Sequence, residues 1–324
     1  TGVPAEVMIE LSNVLKTSIW LTMPHRANDD FVQRFARLVR GSLAPDLRVY
    51  VEYSNEVWNS SFAQQAWVAE QARALWPGGG ASDFTKALNW YGKRSAEVCE
   101  IWKTAFAQQP NRVVCVMGGQ AANAWVMRQA LECPLWRVGK PCRQHGIDAI
   151  AIAPYFGAYV GDPANEAQLE AWAMDDLQGE QLLFQELEEG GLLPKGPAGG
   201  ALAQASDWVK AHVDLSTELG LPLIAYEAGQ HLVGLGSTLK NEAVTELLIA
   251  VNRAPRMGRL YGRYLEEWST HGGDLLMHFR DIGTPSAYGS WGALEHVGQV
   301  GSPKYTALLR YLSLDQPPWA AIGR

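Results

Sequence analysis

Residues 47–59 read LRVYVEYSNEVWN. The first seven are mostly apolar, with valines and tyrosines alternating along the run, which is the composition of a strand covered on both faces. Ser54, Asn55 and Glu56 then close that strand with three polar side chains in succession. A strand covered on both faces belongs to a parallel sheet flanked by helices. In such folds the chemistry gathers at the carboxyl ends of the strands, where Asn55 and Glu56 stand.

Working outward from this stretch, five further segments have the same character: 17–23 (TSIWLTM), 112–117 (RVVCVM), 147–153 (IDAIAIA), 222–226 (PLIAY) and 273–279 (GDLLMHF). Helical periodicity fills the intervals. NDDFVQRFARLVRG follows the first strand, with Asn28 as its cap and Gly41 as its stop. FTKALNWYGKRSAEVCEIWKTAF is one long amphipathic run before the third. After the fourth come EAQLEAWAMDDLQGEQLLFQELEE and ASDWVKAHVDLSTELG, with GGLLPKGPAGG between them. That glycine- and proline-rich stretch has loop chemistry and is expected to be the most flexible in the chain. VPAEVMIELSNVLK is a helix leading into the first strand, and KYTALLRYL is a closing helix.

Short buried strands alternating with helices make βαβ units and a parallel sheet. The expected fold is therefore α/β, a (β/α)8 TIM barrel in a single domain over residues 1–324. Eight strands close such a barrel and six are read here, so the six are expected to be strands three to eight. The first two are then expected to lie outside this numbering.

Composition narrows the function classes. The net charge of −7 argues against nucleic acid, whose phosphates need a basic stripe, and against an anionic membrane surface. No apolar run reaches the ~20 residues that span a bilayer. The 13 tryptophans are core packing in part, but Trp is also a stacking platform for the apolar faces of sugar rings. Of the four cysteines, Cys99 and Cys115 read as buried thiols. Cys133 and Cys142 bracket a short loop, either paired or free, and no spacing resembles a zinc site. No metal or other cofactor is expected, and the oligomeric state is left open.

A second carboxylate closes a strand in LIAYEAGQH, residues 223–231, where Glu227 ends an apolar run. A carboxylate in such a place must be paired, hydrogen-bonded or functional. Glycosidic cleavage with retention uses two of them, one to protonate the leaving oxygen and one to attack the anomeric carbon. The simpler readings are a helix cap for Glu56 and an ion pair for Glu227.

An Asn-Glu pair ending strand four, with a Glu ending strand seven, resembles the pattern of the clan A superfamily of retaining (β/α)8-barrel glycoside hydrolases. EYSNEVWN, residues 52–59, is similar to that clan's acid/base motif. The resemblance implies Glu56 as general acid/base, Glu227 as nucleophile and Asn55 as the partner of the sugar 2-hydroxyl. It implies that Tyr155, in APYFG, hydrogen-bonds the nucleophile, and that His25, ending MPH, contacts the sugar beside the cleaved bond or caps the next helix. Ala153 stands where cellulase-like members carry a His. Met277-His278-Phe279 ends the last strand where many members carry a Trp. His278 is counted among the substrate-contacting candidates, and Trp291, in YGSWGALEH, is the candidate substitute for the missing ring.

Trp58 and Trp125 follow strand ends and are either sugar platforms or helix packing. Gln120, in GGQAAN, and His231, four residues after Glu227, are further cleft candidates. A serine hydrolase is disfavoured, since no G-x-S-x-G elbow follows a strand. His25, Glu56, Glu227 and His278 at one barrel mouth leave a metalloenzyme as a minor reading. A carbohydrate-binding relative without turnover is the main alternative. The expected substrate is a neutral β-linked oligo- or polysaccharide, β-glucan ahead of mannan or xylan, and the expected compartment is secreted or periplasmic.

Overall fold

A computed structural model describes residues 2–175 and 177–313. The chain divides into two compact units. The first holds the chain up to Ile152 together with Leu215–Pro222; the second holds Ala153–Asp214 and the chain from Leu223 onward.

The first unit runs α1 (Ala5–Leu15), β1 (Ile19–Met23), α2 (Asp29–Ser42), β2 (Val49–Tyr53), α3 (Ala63–Leu75), α4 (Asp83–Ala105), β3 (Val113–Gly118), α5 (Ala124–Glu132) and β4 (Ala149–Ile152). Its four strands pair in parallel and in chain order, with Leu21 opposite Val51, Val51 opposite Cys115 and Val116 opposite Ala149. Parallel neighbours require a crossover, which the helices supply. Among the described residues β1 pairs with β2 only. Most apolar residues of α1, including Val7, Leu11 and Val14, are exposed, while Ile9 is buried.

Asn28 caps α2 as expected, its side chain accepting from the Phe31 N–H at 2.9 Å. The expected stop at Gly41 is passed, because Gly41 does not take the left-handed conformation that ends a helix. A distant residue organises the chain beyond that helix end. Buried Arg112 donates to the carbonyls of Leu43, Ala44 and Leu47. The long helix α4 is buried along most of its length, with Tyr91 and Trp102 fully enclosed. Gly92 lets α5 approach, since a Cβ there would lie 2.0 Å from the Ala130 carbonyl oxygen. Cys133 and Cys142 form a disulfide across a Cα separation of 5.8 Å, packed against Ala96 and Trp136.

The second unit contains α6 (Glu166–Ala173), α7 (Gly179–Glu189), all but the last turn of α8 (Gly200–Leu219), β5 (Leu223–Ala225), α9 (Glu242–Arg253), α10 (Pro255–Thr270) and α11 (Pro303–Leu312). The sixth expected strand is reduced to one parallel bridge, Ala225 to Leu276. Its hydrogen bonds still follow a strand, from Asp274 N–H to Leu223 O, Ala225 N–H to Leu275 O and Met277 N–H to Ala225 O. The single helical run expected over 166–189 is two helices. Gly179 opens the second because any larger residue would meet the Trp172 carbonyl.

The stretch expected to be most flexible, 190–200, is pinned. Glu186 of α7 is fully buried and accepts hydrogen bonds from the Leu192 N–H at 2.7 Å, the Leu193 N–H at 3.1 Å and the Tyr159 hydroxyl at 2.9 Å. A buried carboxylate has to be satisfied, and this loop wraps around it to do so.

Candidate active site

In the first unit the ladder continues one residue past β2, the Ser54 N–H donating to Met23 O at 2.9 Å. The chain then turns sharply. Ser54 and Glu56 both take left-handed backbone conformations, with φ of +62° and +43°. For residues with a side chain each costs roughly 1–2 kcal/mol, and such strain collects at functional sites. Three hydrogen bonds hold the turn: Gln64 Nε2 to Asn55 O at 2.7 Å, Asn59 N–H to Glu56 O at 2.9 Å and Asn59 Nδ2 to Glu56 Oε2 at 2.8 Å. The following helix, α3, begins seven residues after Glu56, so Glu56 does not cap it. Asn55 and Glu56 are both half-buried.

His25 lies in the turn after β1, where the Tyr53 hydroxyl donates to its carbonyl at 2.6 Å. Its ring sits edge-on to Trp67, and burial together with the Arg26 charge lowers its pKa. Buried Arg94 of α4 steadies the same turn by donating to Ala27 O and Asp29 Oδ1. Trp58 corrects an expectation. At 8% exposure it packs edge-to-face against buried Tyr91, so it is core and presents no open platform. Trp125 is 44% exposed at the start of α5 and stacks with Phe84. Gln120 is exposed in the turn before α5.

In the second unit, β5 leads into Glu227, which is half-buried. The Tyr155 hydroxyl donates to Glu227 Oε2 at 3.1 Å. A ring cluster stands around this pair. His231 and Trp291 lie edge-on to Tyr155 at centroid distances of 5.8 and 5.7 Å, and 5.0 Å from each other. Phe279 meets Trp291 from the other strand end. The backbone fixes this arrangement through Phe156, whose N–H donates to Gly229 O and whose carbonyl accepts from the His231 N–H at 2.7 Å.

His278 is drawn into the same network by buried Tyr261. The Tyr261 oxygen accepts from the Gln230 N–H at 3.1 Å and lies 3.3 Å from His278 Nε2. Burial, and the charge of Lys304, lower the His278 pKa to about 4. The imidazole is therefore neutral over the ordinary working range.

Chemically, the second unit offers a carboxylate hydrogen-bonded by a phenol within an aromatic wall. The first offers a carboxylate on a strained strand end beside an amide. Among the described residues no cluster of three or more His, Cys, Asp or Glu side chains is placed to hold a metal ion, and no helix is long and apolar enough to cross a membrane.

Several residues escaped the sequence reading. Glu52 is buried within β2, where Trp20 Nε1 donates to its Oε2 at 3.1 Å. Its signal was a charge inside an otherwise apolar strand. Asn59 and Gln64, which hold the Glu56 turn, and Tyr261, which links Gln230 to His278, carried no local signal.

No protein-family model matches the sequence, and no curated relative matches it. Among solved structures, a family 5 xyloglucanase from Paenibacillus pabuli aligns over 96% of this chain and 91% of its own, with 10% identity and a TM-score of 0.41. An endo-β-1,4-mannanase from Thermotoga petrophila aligns over 95% of this chain and 73% of its own, with 10% identity and a TM-score of 0.39. Likenesses this distant assign neither an activity nor a residue to this chain.

Proposed function

We propose that this protein is a retaining glycoside hydrolase that cleaves β-glycosidic bonds in a neutral polysaccharide, β-glucan ahead of mannan or xylan. The observation that carries the reading is the hydrogen bond from Tyr155 to Glu227 within the wall of His231 and Trp291. A nucleophilic carboxylate needs one oxygen held and the other directed at the anomeric carbon, and flat rings around it suit a pyranose.

In this reading Glu227 attacks the anomeric carbon as Glu56 gives its proton to the departing glycosidic oxygen. The C–O bond of the polymer breaks, and a glycosyl ester forms on Glu227. Glu56, now a carboxylate, takes a proton from water, and the resulting attack releases the sugar with its β-configuration restored. Asn55, next to the acid, is assigned to the 2-hydroxyl.

The test is reducing-sugar release from a panel of β-glucan, mannan and xylan by the wild type and by Glu227→Ala. Release by the wild type, lowered at least about a thousandfold in the variant, is the expected result. NMR of the first product should show the β-anomer. Equal release by both proteins would make Glu227 structural. Binding to one polymer with no release by either would favour a non-catalytic carbohydrate-binding protein.

A further inference from the structure

We infer that Lys304, on α11, is a positioning residue for the Glu227 site: together with Gln230 it clamps the Ser290 carbonyl and so holds the Trp291 indole against Tyr155 and His231. The inference rests on the reading above only in calling that cluster an active site.

The geometry is local and specific. Ser290 O accepts two hydrogen bonds, from Lys304 Nζ at 2.5 Å and from Gln230 Nε2 at 2.9 Å. Gln230 is three residues beyond Glu227, and its other end is fixed too, since its Oε1 accepts from the Leu232 N–H at 2.6 Å. Lys304, Gln230 and Ser290 are each at most 4% exposed. Trp291 is the next residue after the clamped carbonyl, and its Nε1 donates to Tyr288 O at 2.8 Å. The cation on α11 and the Gln230 amide thus fix together the carbonyl from which the Trp291 residue follows.

Lys304 is costly to keep. It is the second residue of α11, where the helix dipole disfavours a cation, and burial takes it out of water. Burial lowers its pKa to about 8, opposed by Glu295. The groups around it are Glu295, itself ion-paired to Arg253 of α9, and His278 at the strand end. On α10, Arg259, Arg263 and Glu266 line the groove against α11. Lys304 also lines a cleft of about 280 Å³ with Asn252, whose buried Oδ1 has no hydrogen-bond partner among the described residues. The cleft gives Lys304 a path to exchange protons with solvent. A charged donor makes the stronger bond to a carbonyl, so loss of the proton loosens the clamp.

Two measurements test this. On the polymer that the wild type cleaves, Lys304→Met should raise KM about tenfold, the size of one charge-assisted hydrogen bond, with kcat changed less than about threefold. Trp291→Ala should show the same split, and the double variant should be no worse than Trp291→Ala alone. Multiplying effects in the double variant, or an unchanged KM in Lys304→Met, would overturn the inference. The second measurement needs no activity: 19F NMR of protein carrying 5-fluorotryptophan, with the Trp291 line assigned from Trp291→Phe. In the wild type that line should move with a midpoint near pH 8, and in Lys304→Met it should not. A wild-type line that does not move overturns the clamp, even if Lys304→Met does not fold. A moving line in a protein inactive on every polymer keeps the clamp and removes the enzymatic reading.

Discussion

At the scale of single residues, the second unit sets two titrating groups against each other. His278 has its pKa lowered to about 4 by burial, so the folded protein keeps it neutral where the unfolded chain would protonate it. Its contribution to stability is full above pH 6.5 and is lost as pH falls from there toward 4, by roughly 3 kcal/mol in all. Asp274 has its pKa raised to about 6, again by burial. The folded state holds that proton where the unfolded chain has released it, so this contribution grows as pH falls through the same window. His278→Phe should therefore lose less stability than the wild type between pH 7 and 4.5, measured by urea unfolding at both values. Identical pH dependence in the two proteins would show that His278 is not held neutral by the fold.

At the scale of elements, the segment 190–200 depends on one side chain of the preceding helix. Glu186→Ala leaves two backbone N–H groups without their acceptor and the Tyr159 hydroxyl with only the long bond to the residue-186 carbonyl, at 3.4 Å. Each unsatisfied buried donor costs about 1–3 kcal/mol, which is enough to open a loop of this length. Hydrogen exchange should show Leu192 and Leu193 losing protection while the amides of α9 keep theirs. Retained protection at Leu192 and Leu193 in the variant would mean the loop holds itself. The element scale also explains the turn at Glu56. Its left-handed backbone is held by Asn59 in the loop and by Gln64 in the first turn of α3, so the strand end is shaped by the segment that follows it.

At the scale of the whole molecule, the two units carry different fastenings. The disulfide between Cys133 and Cys142 belongs to the first, closing a short loop against α4. Loop-closure entropy for a ring of this size is worth about 2–3 kcal/mol. Replacing both cysteines by serine should lower the thermal midpoint of the first unit by several degrees, read by calorimetry. An unchanged midpoint would show that packing on Ala96 and Trp136 already fixes the loop.

Short-range periodicity and composition carry a definite part of this molecule. The apolar runs marked β1 to β5 to within about two residues, because a strand buried on both faces leaves almost no polar positions to misread. Asn28 announced its helix through a capping chemistry that is local. The places of Asn55, Glu56 and Glu227 just past strand ends were legible because polar residues closing apolar runs stand out. The remainder depends on contacts between distant segments. Trp58 and Trp125 look alike in sequence, and one is core while the other is exposed, since exposure depends on what packs above a residue. The loop at 190–200 looked mobile because its anchor, Glu186, is read locally as an ordinary helix-surface charge. Lys304 and Gln230 meet at Ser290 from segments 74 residues apart, a convergence that no local pattern encodes. Hydrogen bonds between distant segments are set by how the chain folds back, and that is where the sequence stops being readable one stretch at a time.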